Sequence, residues 1–241
     1  HEETRERVAQ LKCAAAIMGT QEGDWDVVQR SSEAMPNVAV PAFGVHPWFA
    51  HRAENGWIER LRLRLASHPA ALLGEIGLDK AARTPETRRC EYEAQQEVFA
   101  AQLALAAELR RPVSVHCVRS VGKLFGMMEA GAAAAGLPPA IALHSYGSSP
   151  DWIPRYLALP TELYVGFSYA INGRENQREK LLENIAVVPD DRLLLESDLE
   201  CPLDIEEHLR AMCAIFAEAK GWSLEETAER TWANAERFVA A

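Results

Sequence analysis

The chain has 241 residues, of which 48% are apolar and 25% are charged, and its formal net charge is −10 at pH 7. This length can bury the core of one large domain, and no apolar run reaches the ~20 residues of a membrane-spanning helix. The excess of 35 acidic over 25 basic residues argues against tight, sequence-independent binding of nucleic acid, which depends on a basic surface. Five scattered cysteines without a CxxC pair indicate reduced thiols in an intracellular protein of the cytoplasm or nucleus.

Short apolar runs alternate with amphipathic stretches, which is the pattern of β/α units in a parallel sheet. Strands are predicted over residues 13–19, 38–46, 70–78, 113–116, 140–144, 163–168 and 191–198. Helices are predicted over residues 2–12, 24–35, 57–67, 84–110, 120–130, 151–159, 174–184, 204–220 and 223–239. Asp24 is a suitable cap for the second helix, and Thr84 followed by Pro85 predicts the start of the fourth. Pro41 has no amide hydrogen, so pairing of the second strand is interrupted there or begins after it.

Seven strands, each followed by a helix, are one fewer than the eight of a closed (β/α)8 TIM barrel. Because residues 2–12 resemble the helix that follows a strand, we expect the first strand to precede residue 1. An open sheet is the alternative. The predicted fold class is therefore an α/β TIM barrel whose first strand is missing from the given chain, with residues 1–241 forming a single domain.

Residues with metal-ligand chemistry stand at the predicted strand ends. Glu75, His116, His144 and Asp198 each close a strand, and His46 closes the second one. Because the carboxyl ends of all strands meet at one face of a parallel barrel, we expect these side chains to converge there. Two imidazoles and two carboxylates suit a divalent cation such as Zn²⁺, Mn²⁺ or Mg²⁺.

Each of these residues also has a purely structural explanation. Glu75 could pair with an arginine, each histidine could be a hydrogen-bonded structural residue, Asp198 could cap the next helix, and His46 with Pro47 could form a turn. These explanations are independent of one another, whereas the placement at successive strand ends is regular. The regular placement favours the metal site.

Seven segments together suggest a family. They are FGVHPW (43–48), GEIGLD (74–79), PVSVHC (112–117), LHSYG (143–147), VGFS (165–168), LLLESD (193–198) and NAERF (234–238). In this order and spacing they resemble the TatD family of metal-dependent deoxyribonucleases, within the amidohydrolase-like barrels. The amino-acid sequences of several segments are closer to a eukaryotic, fungal-type branch than to the bacterial enzymes.

The resemblance implies a role for each strand-end residue. Glu75 would bridge two divalent metal ions (Zn, Mn or Mg), His116 and His144 would be ligands, and Asp198 would contact metal and act as the catalytic base. His46 would be a substrate-binding residue facing the phosphate. The implied function is hydrolysis of phosphodiester bonds in DNA, as a 3′-5′ exonuclease. DNA would then be a weakly bound substrate held through the metal, with no role for a membrane.

The chain departs from the family pattern in several places, two of which concern the metal and phosphate contacts. The family's first strand ends in an His-x-His pair, which these 241 residues do not contain, and its basic residue two places after His116 is Val118 here, with Arg119 next. Two other functions stay open: amide or lactone hydrolysis by the same kind of barrel, and a non-catalytic interaction protein on a decayed barrel. Trp48 and Tyr146, just past strand ends, could stack on bases or simply pack in loops.

Overall fold

A single parallel sheet organises the computed structural model, which describes residues 13–35, 39–85, 87–200 and 204–241. Its seven strands follow one another in chain order, and each pairs with the next in parallel register. The strands are β1 (Ala15–Met18), β2 (Ala39–Phe43), β3 (Leu72–Asp79), β4 (Val113–Val118), β5 (Ala140–Leu143), β6 (Glu162–Ser168) and β7 (Leu193–Glu196). This confirms the predicted α/β barrel class and the position of each predicted strand.

Helices connect the strands in the β/α order that the sequence predicts. They are α1 (Trp25–Glu33), α2 (Trp57–Ser67), α3 (Tyr92–Leu109), α4 (Val121–Ala134), α5 (Ile153–Leu157), α6 (Tyr169–Asn172), α7 (Arg178–Val187), α8 (Ile205–Lys220) and α9 (Leu224–Ala240). The predicted helix over residues 2–12 and the strand expected before residue 1 lie outside the described residues. Within the described ranges, no helix has the length and apolar character that crossing a membrane requires.

The start of α3 differs from the prediction. The helix begins at Tyr92 and not near Thr84, because the intervening segment forms a turn. The hydroxyl oxygens of Thr84 and Thr87 lie 2.6 Å apart, and the Thr87 amide donates to Thr84 Oγ1 at 3.2 Å. Arg88 has a φ of 56°, a left-handed conformation that ends any helical run before it could join α3. The Thr84–Pro85 signal thus marks a turn.

The starts of α1 and α7 and the pairing of β2 also bear on the predictions. Asp24 is the N-cap residue of α1, as predicted, but its carboxylate accepts the amide hydrogens of Thr20 and Gln21 in the turn before the helix. The predicted helix at residues 174–184 begins only at Arg178. Pairing of β2 with β3 begins at Ala42, directly after Pro41, but pairing with β1 continues through Pro41, so the predicted interruption is wrong on the β1 side.

The two faces of the sheet pack against different partners. One face meets the helices in the main hydrophobic core. The other face forms the barrel interior, where alternate strand residues such as Ala142, Tyr164 and Leu194 cluster with Phe238 of α9. The Tyr164 and Phe238 rings meet edge to face with centroids 5.5 Å apart. Any polar side chain two residues beyond these positions lies on the interior face, at the carboxyl edge.

Strand β3 changes its alternation in the middle. Leu73 pairs with Val113 but Ile76 pairs with Val115, so three steps on β3 match two on β4. As a result Leu73 and Ile76 both belong to the core beneath the helices. A regular strand would place Glu75 on the same face as Leu73. The irregularity instead turns Glu75 toward the interior.

Candidate metal centre

The structure brings all five predicted site residues together. The Oε1 atom of Glu75 lies 2.8 Å from His116 Nδ1, 3.5 Å from His46 Nε2 and 3.6 Å from His144 Nε2. Asp198 Oδ2 lies 3.3 Å from His144 Nε2. Glu75 is only 9% exposed and His46 5%. One oxygen of the Glu75 carboxylate is therefore surrounded by three imidazoles in a site that is mostly buried. The carboxylate of Asp198 lies at the edge of this site.

Strand register explains this convergence. His116 follows Ser114 by two residues on β4, and His144 follows Ala142 by two at the end of β5, so both continue the interior face. Asp198 follows Glu196, the last residue of β7, in the same way. Since parallel strands end at one edge, these side chains meet above the apolar layer of the barrel.

Histidines, and not arginine, compensate the charge of Glu75. Every ion pair of this residue within the described ranges is with a histidine, which contradicts the alternative of a salt bridge to arginine. Burial opposes ionisation, but the charge of His144 and the hydrogen bond from His116 hold the pKa of Glu75 well below its ordinary value. Burial lowers the pKa of His144, but Glu75 and Glu196 outweigh it and raise that pKa well above its usual value. The site is therefore built to hold positive charge, either protons or a cation.

A carboxylate also lies near the second ring nitrogen of two histidines. Glu196 Oε2 lies 2.7 Å from His144 Nδ1, and Asp79 Oδ2 lies 3.4 Å from His116 Nε2. A carboxylate beside one ring nitrogen favours the tautomer with its hydrogen there, which leaves the other nitrogen with a lone pair. In neutral His144 the nitrogen with the lone pair is Nε2, which faces Glu75 and Asp198. In His116 the nearest carboxylate is Glu75, 2.8 Å from Nδ1, so Nδ1 carries the hydrogen. His144 thus has the arrangement of a metal-ligating histidine with an outer carboxylate partner.

His46 has the opposite polarity. Its Nδ1 accepts the amide hydrogen of Trp48 at 3.2 Å, so the neutral ring carries its hydrogen on Nε2, the nitrogen toward Glu75. Burial lowers the pKa of His46, which keeps the ring neutral. His46 therefore offers a hydrogen-bond donor to the site, whereas neutral His144 offers a lone pair.

The donor set fits a divalent cation. Ligand atoms of His46, Glu75 and His116 lie within 4.8 Å of one another, close enough to surround one ion. With His144 and Asp198 beside them, the site offers imidazole nitrogens and carboxylate oxygens, the ligands that Zn²⁺ and Mn²⁺ accept. The ligand roles of the individual residues stay predictions.

The backbone around Asp198 is held in an unusual conformation. Asp198 and Ser145 have φ values of 53° and 42°, in the left-handed region that non-glycine residues seldom adopt. Ser145 donates from Oγ to Asp198 Oδ2 at 2.9 Å and from its amide to Glu196 Oε2 at 3.0 Å. Helix α8 begins only at Ile205, so Asp198 is not the cap of that helix. Side-chain contacts to the site hold this loop conformation.

The sequence pattern by itself indicates no role for Glu196 or Asp79. The sequence signal for Glu196 is the glycine opposite it: a Cβ on Gly166 would lie 1.6 Å from Glu196 Oε1, so only glycine leaves room for the carboxylate.

Asp79 also accepts a hydrogen bond of 2.6 Å from the indole nitrogen of Trp48. This bond anchors Trp48 while 53% of its surface stays exposed, whereas Tyr146 is 4% exposed with its hydroxyl donating to the Ser149 carbonyl. For Tyr146 the burial therefore favours the second alternative, packing in the loop, over stacking on a base.

Replacing Glu196 by glutamine tests the outer carboxylate. We expect Glu196→Gln to weaken binding of Mn²⁺ or Zn²⁺ about 10- to 100-fold, because an amide holds the His144 tautomer less firmly than a carboxylate does. Isothermal titration calorimetry on the metal-stripped protein measures this change. Glu183→Gln, the same substitution at an exposed position of α7, is the matched control. Equal affinities for the Glu196 variant and the control would mean that Glu196 does not support a ligand.

A β/α barrel with imidazoles and carboxylates converging at its carboxyl edge is the architecture of metal-dependent hydrolases. Within that class the chain belongs to the TatD family: the model of the TatD related DNases matches residues 1–240. This confirms the resemblance that the sequence motifs predicted, and it places the chain among the TatD family of hydrolases.

Individual relatives agree with this assignment. The Cut9-interacting protein scn1 of Schizosaccharomyces pombe is 28% identical over 305 aligned positions, covering 92% of this chain and 90% of that protein. The 3′-5′ ssDNA/RNA exonuclease TatD of Pantoea vagans is 33% identical over 188 positions, covering 76% of this chain and 66% of the enzyme.

Solved structures show the same fold. A TatD homologue from Escherichia coli K12 matches with a TM-score of 0.79 at 24% identity, covering 100% of this chain and 92% of that one. An uncharacterized amidohydrolase from Saccharomyces cerevisiae matches with a TM-score of 0.70 at 17% identity, covering 98% and 91% of the two chains.

Proposed function

We propose that this protein is a divalent-metal-dependent hydrolase that cleaves phosphodiester bonds of DNA, as a 3′-5′ exonuclease. The observation that supports this most directly is the buried Oε1 atom of Glu75, which lies within 3.6 Å of three histidine nitrogens. We further propose that residues 1–241 act as one barrel, with the site at its carboxyl edge.

In this proposal Glu75, His116, His144 and Asp198 would hold two divalent metal ions, and Glu75 would be their common ligand. The tautomer inferred from Glu196 supports His144 as a ligand, and the 2.8 Å contact of His116 with Glu75 places a second imidazole beside it. When bound, a divalent cation lowers the pKa of a water molecule toward neutrality and neutralises charge on phosphoryl oxygens.

The remaining chemistry belongs to the protein's own side chains. Burial tends to raise the pKa of Asp198, but hydrogen bonds from His144 and Ser145 lower it below its ordinary value, so the carboxylate is ionised at neutral pH. An ionised carboxylate at the rim can accept the proton of the attacking water, which is the role of a general base. The His46 Nε2 hydrogen is available to a phosphate oxygen of the substrate.

The names of the bacterial relatives support single-stranded DNA or RNA as the substrate class. The exposed face of Trp48, fixed by its bond to Asp79, is suited to stacking on a base without reading sequence. With a net charge of −10, the protein is expected to hold DNA weakly and through the metal. We propose that the protein acts on such a substrate in the cytoplasm or nucleus.

A cleavage assay tests the proposal. Metal-stripped protein is mixed with single-stranded oligonucleotides labelled at the 5′ or the 3′ end, with Mn²⁺, Mg²⁺, Zn²⁺ or EDTA added. We expect 5′-labelled strands to shorten progressively from the 3′ end with metal and to stay intact with EDTA, because the bound cation would supply the activated water.

The same preparation is offered amides, lactones and esters as a control panel. Hydrolysis of those compounds but not of oligonucleotides would contradict the proposal and favour the amide or lactone activity. Absence of all hydrolysis in protein shown to bind metal would favour a non-catalytic interaction role; the fission-yeast relative is named for an interaction with Cut9.

A further inference from the structure

An open cleft of about 700 Å³ lies beside the candidate metal centre, between the segments that follow β3 and β4. Its lining includes the side chains of Lys80, Tyr92, Gln96, Arg119, Ser120 and Lys123. None of the lining residues is acidic, although the protein as a whole has ten more acidic than basic residues. The cleft is therefore a basic region on a protein that is acidic overall.

The three basic side chains of this cleft have no carboxylate partner. Lys80, Arg119 and Lys123 are all exposed, and none of them takes part in an ion pair within the described ranges. By contrast Arg60, Arg62 and other surface arginines pair with glutamates or aspartates. Three uncompensated cations around one cleft attract an anion.

Local hydrogen bonds shape the cleft. The Tyr92 hydroxyl donates to Ser120 Oγ at 2.9 Å, and the Lys80 ammonium lies 5.8 Å from the centroid of the Tyr92 ring. The side chain of Ser120 makes no capping bond to α4, which begins at Val121. The first amide groups of this helix therefore add to the positive potential that the three side chains create.

The cleft and the metal centre share their supporting residues. Lys80 directly follows Asp79, the carboxylate beside His116, and its amide donates to the Val118 carbonyl at 3.0 Å. Arg119 comes three residues after His116, at the end of β4. Both sites thus open at the same edge of the barrel.

We propose that this basic cleft binds a backbone phosphate of the DNA strand next to the bond that is cleaved. The inference rests on the proposed function and makes it more specific. The substrate would be a strand with at least two phosphates, one at the metal centre and one held by Lys80, Arg119 and Lys123. A mononucleotide or a small phosphodiester would reach only the metal centre.

Charge reversal of Lys123 tests the cleft. Lys123 is at the start of α4, where a glutamate is favourable to the helix, so the Lys123→Glu protein is expected to keep its fold. Arg30→Glu is the matched control, because Arg30 is exposed in the last turn of α1, at the opposite edge of the barrel. Binding of a fluorescein-labelled oligothymidylate of about eight nucleotides is followed by anisotropy in EDTA, so the readout needs neither metal nor cleavage.

We expect Lys123→Glu to weaken oligothymidylate binding about tenfold, and to lower the slope of log affinity against log salt concentration by at least about 0.7. Arg30→Glu should stay within about twofold of the unaltered protein, because screening suppresses a distant charge. A parallel titration with inorganic phosphate shows whether the cleft binds a nucleic-acid strand or a free phosphate ion.

Three results would overturn the proposal: no detectable strand binding by the unaltered protein, equal binding by the Lys123 variant, or a loss confined to inorganic phosphate. If the proposed function is wrong, the cleavage assay and not the binding assay reveals it, because the unaltered protein then cleaves no strand with any of the metals. The binding assay reports on the cleft in either case.

Discussion

Glu75→Gln is expected to abolish metal-dependent cleavage of DNA, with a fall in rate of at least about 10³-fold, while the protein stays folded. Glutamine has nearly the same shape as glutamate but no charge. The three imidazoles around Oε1 would lose their common anionic partner, and a cation would lose its central ligand. Cleavage of a 5′-labelled single strand in Mn²⁺ or Mg²⁺ measures the rate, and calorimetry measures the accompanying loss of metal affinity.

Two controls separate this loss from unfolding. Circular dichroism should show an unchanged helix content for Glu75→Gln, because Glu75 is held by side chains of the site and not by the apolar core. Glu183→Gln repeats the substitution on the exposed surface of α7 and should retain full activity. Full activity in the Glu75→Gln variant would contradict the assignment of these residues as a catalytic metal centre.

Asp198→Asn is expected to lower kcat by about 10²- to 10⁴-fold, the range for loss of a general base. Asparagine keeps the hydrogen bond from Ser145 but cannot take a proton from water. Metal affinity should fall less than in Glu75→Gln, because within the described ranges Asp198 pairs with one histidine, His144, whereas Glu75 pairs with three. Single-turnover cleavage at saturating metal isolates this step from binding.

The outcome also distinguishes two roles of Asp198. If excess metal restores the rate of Asp198→Asn, the carboxylate serves as a ligand only, and the assignment as base is contradicted. A rate that stays low at saturating metal, with oligonucleotide binding unchanged, is the expected result. Asp198 lies in a left-handed conformation with φ of 53°, which asparagine also tolerates, so strain is not introduced by the substitution.

Much of the fold could be predicted from the sequence because it depends on local patterns. The periodic placement of apolar residues located the seven strands in order. The exact agreement for Trp57–Ser67 shows how well a regular amphipathic helix is encoded. Boundaries were less accurate where side chains decide them. At Thr84 two threonine hydroxyls and a left-handed Arg88 form a turn that no periodicity indicates.

The convergence of the five site residues could also be predicted, because parallel strands must end at one edge. Which way each side chain points could not. Strict alternation puts Glu75 beneath the helices with Leu73, and only the irregular pairing of β3 with β4 turns it inward. The same holds for Tyr146, whose burial depends on its contact with Phe167.

The sequence by itself determined the order of the β/α units and the chemical groups available at their ends, since both follow from residues close together in the chain. The tertiary structure alone decided which carboxylates stand beside His116 and His144. These contacts join residues of different strands, and His144 and Glu196 are more than 50 positions apart, at a distance of 2.7 Å that the local sequence does not specify.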